Sequence, residues 1–222
     1  MKQIPILFTT SNVQSIQADL KNMTRRIVKP QPIAEKFSAI IGGYDNIPLM
    51  ARFWTKREPN NPLIEDIKIK YQVGNVLWVR ETWKFNELDK KGFRYKADYF
   101  KPELNIVKWK PSIFMPKSAA RIFLEITDLR VERLEDITKE DAIAEGIETW
   151  VEDWCKVRRY RDYVSGGGFW ENDHEKVAGL RDKNGVHPAI ASYRSLWAKI
   201  NGFDSLNSNP WVFVITFKKL KT

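Results

Sequence analysis

The chain is short of the side chains that bind soft metals or shuttle protons near neutral pH. It has one cysteine, Cys155, and two histidines, His174 and His187, which stand thirteen residues apart. A single cysteine cannot close an intrachain disulfide, and two separated histidines do not supply the grouped ligands that zinc requires. The sequence therefore predicts no metal, no cofactor and no histidine-based catalysis. Long apolar runs are missing too: no stretch approaches the roughly 18 residues needed to cross a bilayer. Met1 to Phe8 lacks the charged-then-apolar pattern of a signal peptide. These absences predict a cytoplasmic protein with no membrane partner.

What is present is charge and aromatic carbon. The 222 residues, 43% hydrophobic and 29% charged, can bury a sizeable core. Nine Trp, seven Tyr and twelve Phe are an unusual aromatic share; such rings mostly build cores, and rings beside cations also make stacking platforms for bases. The formal net charge is +9 and unevenly spread. Glu132 to Asp153 holds nine acidic and two basic residues, so that segment is −7 and the rest of the chain +16. A basic majority suits a phosphate-bearing partner, whose counterions are released on binding.

The patterning predicts an α+β chain. Ile4–Phe8, Val76–Arg80, Ala120–Glu132 and Trp211–Phe217 read as strands, and residues 86–110 as a possible hairpin. Ser11 is placed to cap a helix over Asn12–Leu20, with Val13, Ile16, Gln17 and Leu20 at helical spacing. Thr138 to Asp141 approximates a capping box for a short helix that Gly146 ends. Pro188 opens a helix with Ile190, Tyr193, Trp197 and Ile200 on one face, stopped at Asn201-Gly202. The proline-rich residues 30–75 read mostly as loop before Val76. Residues 148–186 have a weak pattern, and Ser165-Gly166-Gly167-Gly168 reads as flexible.

Two places carry chemistry. Lys21-Asn22-Met23-Thr24-Arg25-Arg26 sets three cations and a hydroxyl in six residues. Such a segment can clamp a phosphate, form a solvated basic turn, or activate Thr24. A lysine acts as a general base when burial or neighbouring cations, here Arg25 and Arg26, disfavour its charged form. Glu145 is the second place, at the end of its helix, where a carboxylate opposes the helix dipole at a cost of about 0.3–1 kcal/mol. That position suits a group in proton transfer, although a solvated acidic face is the plainer alternative. Trp78, Arg80, Glu81 and Trp83 pair rings with charges at a strand end, either as a pocket wall or as a strand that buries Trp78.

Four segments together resemble a known family. PILFTTSNVQSIQADLKNMTRRIVKP, GNVLWVRETW, WKPSIFMPKSAARIFLEITDLRVERLEDITKEDAIAEGI and YRSLWAKINGFDSLNSNPWVFVITFKKL are similar, in this order, to the ASCH-domain proteins of phages and prophages. The resemblance covers a little over half the chain. It implies a PUA-like mixed β-barrel with flanking helices: one domain over 1–222, with insertions near 31–70, 86–108 and 148–186. In compact bacterial members a K-x-x-T-x-R segment and a Glu-ended helix hydrolyse N4-acetylcytidine. Laid on this chain, those positions are Lys21, Thr24 and Glu145. By that resemblance Thr24 is the nucleophile and Lys21 takes its proton. Glu145 orients the lysine or protonates the leaving amine. Arg26 holds the ligand or the oxyanion, with Arg25, Trp78, Arg80 and Glu81 as further binding residues. The family pattern runs G-x-K-T-x-T-R, whereas here Asp19 stands near the glycine position and Asn22 replaces the first threonine. The resemblance thus predicts an amidohydrolase acting on a modified nucleoside or RNA in a bacterial or phage-infected cytoplasm. A non-catalytic RNA-binding module and a metal-independent ribonuclease are the alternatives.

Overall fold

The chain divides into two compact units. Met1–Asn22, Tyr71–Leu129 and Thr216–Thr222 make the first, and Met23–Lys70 with Arg130–Ile215 make the second. The computed structural model describes residues 1–43, 47–56, 62–86, 92–99, 108–171 and 186–221. Strands in several sheets and a few helices confirm the α+β class, and among the described residues no sheet closes into a barrel.

In the first unit, β1 (Gln3–Leu7) turns Ile4 and Ile6 inward by simple alternation. It runs parallel to β6 (Val76–Arg80), with Ile4 opposite Leu77. The other side of β6 pairs antiparallel with the start of β9 (Phe123–Arg133), where Leu77 faces Leu124. The first four residues of β6, Val-Leu-Trp-Val, are all buried, as expected of a central strand covered on both faces. Helix α1 (Thr10–Gln17) follows β1 and buries Val13 and Ile16. Its cap is Thr9, whose hydroxyl accepts from the Asn12 amide, and not the expected Ser11. Asp19, at φ 57°, ends the helical path early and leaves Leu20 exposed. A two-stranded ribbon, β7 (Trp83–Phe85) with β8 (Phe93–Tyr95), realises part of the predicted hairpin. It packs Trp83, Phe93 and Tyr95 around Met115 and Ala119.

The second unit corrects two expectations. Residues 30–75 are not mostly loop, because β3 (Lys36–Ile41), β4 (Met50–Lys56) and β5 (Pro62–Lys68) form an antiparallel sheet. Proline misleads there: Pro48 precedes β4 and Pro62 is the first residue of β5, so neither interrupts a ladder. The core side of this sheet is aromatic, with Phe53 5.7 Å from Phe37 and 5.3 Å from Trp211. Residues 148–171 are likewise ordered as β10 (Thr149–Val151), β11 (Arg158–Arg161) and β12 (Gly168–Trp170). The glycine segment joins β11 to β12 as a tight turn. Asp162 accepts from the amides of Val164 and Ser165, and Gly166 takes φ 83°. The remaining predicted segment, with His174, lies outside the described residues.

The unit's core gathers Met23 of β2 (Met23–Ile27), Leu134, Ile137, Tyr160 and residues of α3 (Pro188–Asn201). Val212 and Val214 of β13 (Trp211–Lys219) complete it. In α3 the buried face contains Ala189, Tyr193 and Trp197, whereas Ile200 is half-exposed where the helix nears Gly202. A short α4 (Phe203–Asn207) follows.

Gly168 of β12 has no room for a side chain, because a Cβ there would meet Trp150 Cη2 at 2.8 Å. Gly168→Ala is expected to destabilise the protein by about 1–3 kcal/mol through this overpacking, read as a lower denaturant midpoint with an unchanged slope.

Candidate functional site

Charge is rarely buried without a reason, since stripping water from an ion costs several kcal/mol unless partners replace it. Among the described residues seven polar or charged side chains are buried: Lys21, Thr24, Arg25, Glu81, Glu145, Ser192 and Ser195. The two serines have packing explanations. Ser192 donates to the Arg161 carbonyl, while Ser195 accepts from the Tyr163 amide and donates to the Ser192 carbonyl. The other five are residues the sequence had already singled out.

In the second unit the centre is Arg25, on the face of β2 that also carries Met23. Its side chain has 0% exposure. Nη2 donates to Glu132 Oε1 and to Asp141 Oδ2, both at 2.6 Å, and Nη1 lies 3.5 Å from Glu145 Oε1. The guanidinium carbon stands 5.6 Å from the Tyr193 ring centroid. Arg130 joins from β9, with Nη2 3.0 Å from Asp141 Oδ2 and Nη1 3.6 Å from Glu132 Oε2. Helix α2 (Lys139–Ala144) sets two of these acids. Thr138 caps it by accepting from the Asp141 amide, which fixes Asp141 in the first turn. Glu145 is the C-cap residue, immediately before Gly146 at φ 74°. The dipole cost expected at that end is met by the nearby positive charge of Arg25. Tyr193 is driven well above the ordinary tyrosine range by burial and then by the negative charge of Glu145. Thr24 is 4% exposed and precedes Arg25 by one residue, so strand alternation turns the two side chains to opposite faces of β2. Arg26 is half-buried.

The first unit holds Lys21, 4% exposed, with Nζ 5.8 Å from the Phe8 ring centroid. It also holds a second arginine-centred cluster. Arg121 Nε and Nη2 donate to Glu81 Oε1 and Oε2 at 2.9 and 3.0 Å, and Nη1 and Nη2 donate to Asp98 at 2.8 Å each. Its guanidinium carbon lies 3.9 Å from the Tyr95 ring centroid, and Tyr95 donates to the Ala119 carbonyl at 2.7 Å. Burial pushes the Glu81 carboxyl above the usual range, against the pull of Arg121.

The expected binding residues are therefore committed to different tasks. Arg25 is occupied by three carboxylates. Arg80 donates to the carbonyls of Met115 and Ile113 while its guanidinium lies 5.5 Å from the Trp78 ring centroid, and Trp78 itself is buried. Glu81 belongs to Arg121. Sequence reasoning missed Glu132, Asp141, Arg121, Asp98 and Tyr193 as parts of these clusters. The crowd of acids between Glu132 and Asp153 was the available signal for the first two, because a buried Arg25 needs partners.

Arg25→Met leaves three carboxylates facing one another and is expected to cost about 3–5 kcal/mol, measured by denaturant unfolding. Tyr193 supplies a pH test. Its folded value lies above the unfolded one, so its contribution is intact below about pH 10 and is lost as pH rises further. Unfolding free energy should fall as pH rises above about 10, and Tyr193→Phe should make that fall shallower.

No family model and no solved structure matches the chain. A stretch of 81 residues is 35% identical to the human centrosomal protein of 41 kDa. It makes up 36% of this chain and spans about a fifth of that protein (21%), an extent that assigns neither a family nor an activity.

Proposed function

We propose that the chain is an ASCH-type amidohydrolase that removes the acyl group from N4-acylated cytidine or a related modified nucleobase. The observation that supports this reading is burial. Lys21, Thr24 and Glu145 are 4%, 4% and 3% exposed, and buried ionisable groups together with a buried hydroxyl are features found at functional sites. The parallel pairing of β1 with β6 and the antiparallel pairing of β6 with β9 are consistent with a PUA-like mixed sheet.

In this reading Thr24 Oγ attacks the acyl carbonyl carbon and its proton passes to Lys21 Nζ, three residues earlier in the chain. The tetrahedral oxyanion is stabilised by a cationic donor, for which Arg26 is the candidate. The C–N bond then breaks, and cytosine N4 leaves as an amine after taking up the proton. Water hydrolyses the acyl-threonine, releasing the carboxylic acid and regenerating the hydroxyl. In the family that the chain resembles, the acid at the position of Glu145 orients the lysine or relays the proton to the amine. Arg25, fixed by Glu132 and Asp141, positions Glu145. No metal or cofactor is required by these steps, and the cytoplasm is the setting that fits such a substrate.

The test is incubation of the purified chain with N4-acetylcytidine, following cytidine release by chromatography. Turnover is expected in the wild type and should fall about 10²-fold or more in each of Lys21→Ala, Thr24→Ala and Glu145→Ala. A folded wild-type protein that releases no cytidine removes the reading. Activity surviving Thr24→Ala removes the nucleophile but keeps the enzyme.

A further inference from the structure

The first unit carries sixteen Lys and Arg against eight Asp and Glu, a net of +8, whereas the second carries twenty-one against twenty, a net of +1. Between Glu103 and Glu125 of the first unit there is no acidic residue and there are four basic ones, Lys108, Lys110, Lys117 and Arg121. Arg121 is taken by Glu81 and Asp98. The three lysines are exposed and form no ion pair with a described residue. In the middle of this stretch stand Ile113 and Phe114, 56% and 69% exposed, and Phe114 is the most exposed phenylalanine among the described residues. Single apolar residues scattered over a surface are ordinary, but two in succession framed by cations call for an explanation.

The backbone of this tip is braced, so the apolar pair cannot fold back onto the core. Lys110 and Trp83 exchange two backbone bonds, at 2.8 and 3.2 Å, which fix the entry. A single 3-10 turn, Ser112–Phe114, lies between Pro111 and Pro116. It is closed by the Phe114 amide on the Pro111 carbonyl and the Met115 amide on the Ser112 carbonyl, each at 3.1 Å. Arg80 donates to the carbonyls of Ile113 and Met115. Met115, 1% exposed, plugs the tip into the cluster of Trp83 and Ala119. Three residues per turn set the side chains of Ser112, Ile113 and Phe114 about 120° apart, and Ser112 is the half-buried one. Ile113 and Phe114 therefore take the two outward directions, with Lys110 and Lys117 just outside the flanking, exposed prolines.

We propose that this tip docks the protein on an anionic lipid surface, with Ile113 and Phe114 entering the headgroup layer and Lys108, Lys110 and Lys117 meeting the lipid charges. The complementarity is that of interfacial anchors: apolar side chains enter the boundary while long cationic stems stay at the charged surface. A fluid bilayer accepts a convex tip without a matching pocket, whereas an acidic protein would need an apolar socket framed by carboxylates. A second copy of this chain is a poor socket. Of the nine acids from Glu132 to Asp153, six are already paired: Glu132, Asp141 and Glu145 with Arg25, Glu148 with Arg161, Glu152 with Arg159 and Asp153 with Lys156. The expectation of no membrane partner rested on the lack of a spanning run. Among the described residues no helix is long and apolar enough to cross a membrane, but surface attachment requires none. The assignment does not rest on the hydrolase reading, and either can fail alone.

The experiment is co-sedimentation of the full chain with vesicles of phosphatidylcholine alone or with about one-third phosphatidylserine. The proteins compared are the wild type, Ile113→Ser/Phe114→Ser, Phe114→Trp, Lys108→Ala/Lys110→Ala/Lys117→Ala, and the charge-matched control Lys68→Ala/Lys156→Ala/Lys199→Ala from the second unit. All the replaced side chains except none of the core are exposed, so each variant keeps its packing. The wild type should bind the anionic vesicles at least about 10-fold more tightly than the neutral ones. The lysine triple variant should lose about 100-fold on anionic vesicles, and the double serine variant at least about 10-fold. Phe114→Trp should retain the wild-type affinity, because an indole suits the interface as well as a phenyl ring. The control should match the wild type. Absence of wild-type binding to anionic vesicles overturns the proposal, and so does an equal loss in the control, which would mean diffuse attraction. Unchanged affinity in the double serine variant overturns the apolar tip. Poly-glutamate measured in parallel should be indifferent to Ile113→Ser/Phe114→Ser; a matching loss there would assign the tip to an acidic protein and overturn the lipid surface.

Discussion

A guanidinium with no exposure cannot exist in a folded core unless carboxylates surround it, and Arg25 sets that condition for the whole of the second unit. Its partners come from the end of β9, the first turn of α2, the C-cap of α2 and, through its ring, α3. Each of those elements must reach the same point, so the ion cluster specifies their packing while the apolar core around Met23, Tyr193 and Val212 supplies the driving force. Arg130, 43% exposed, brings a second positive charge from the solvent side, so three acids with two arginines come close to neutrality.

The first unit uses the same device on a smaller scale. Arg121 spreads its four bonds over Glu81 and Asp98 and lies against Tyr95, tying the end of β6 to the turn after β8. Burial alone would favour a protonated Glu81, and the bidentate arginine works against it. In both clusters the arginine's planar fork matters, because a lysine offers a point charge and could not address two carboxylates at once.

These clusters bear on function through what they leave over. Ion pairing accounts for Arg25, Glu81 and Glu145 and packing accounts for the two buried serines, while Lys21, Thr24 and Glu145 are the set that the proposed chemistry would use. At the surface the leftover is positive charge, nearly all of it in the first unit.

Sequence by itself determined the elements whose signals are local. Val76–Arg80 is a strand because five consecutive residues favour a buried ladder, and Thr138 and Gly146 bracket α2 because a hydroxyl cap and a positive-φ stop act within one turn. Pro188 and Gly202 bracket α3 for the same reason. It also singled out Lys21, Thr24, Arg25, Glu81 and Glu145, since charge and hydroxyl crowding are visible without coordinates. Only the tertiary structure decided their company. That Thr9 rather than Ser11 caps α1, that β3, β4 and β5 pair into a sheet, that Ile200 stays at the surface and that Arg25 serves three acids all depend on how the chain packs. Glu132 and Asp141 stand more than a hundred positions from Arg25. Pairing over such distances is selected by burial and electrostatics acting after the chain has closed on itself, and no window of neighbouring residues encodes it.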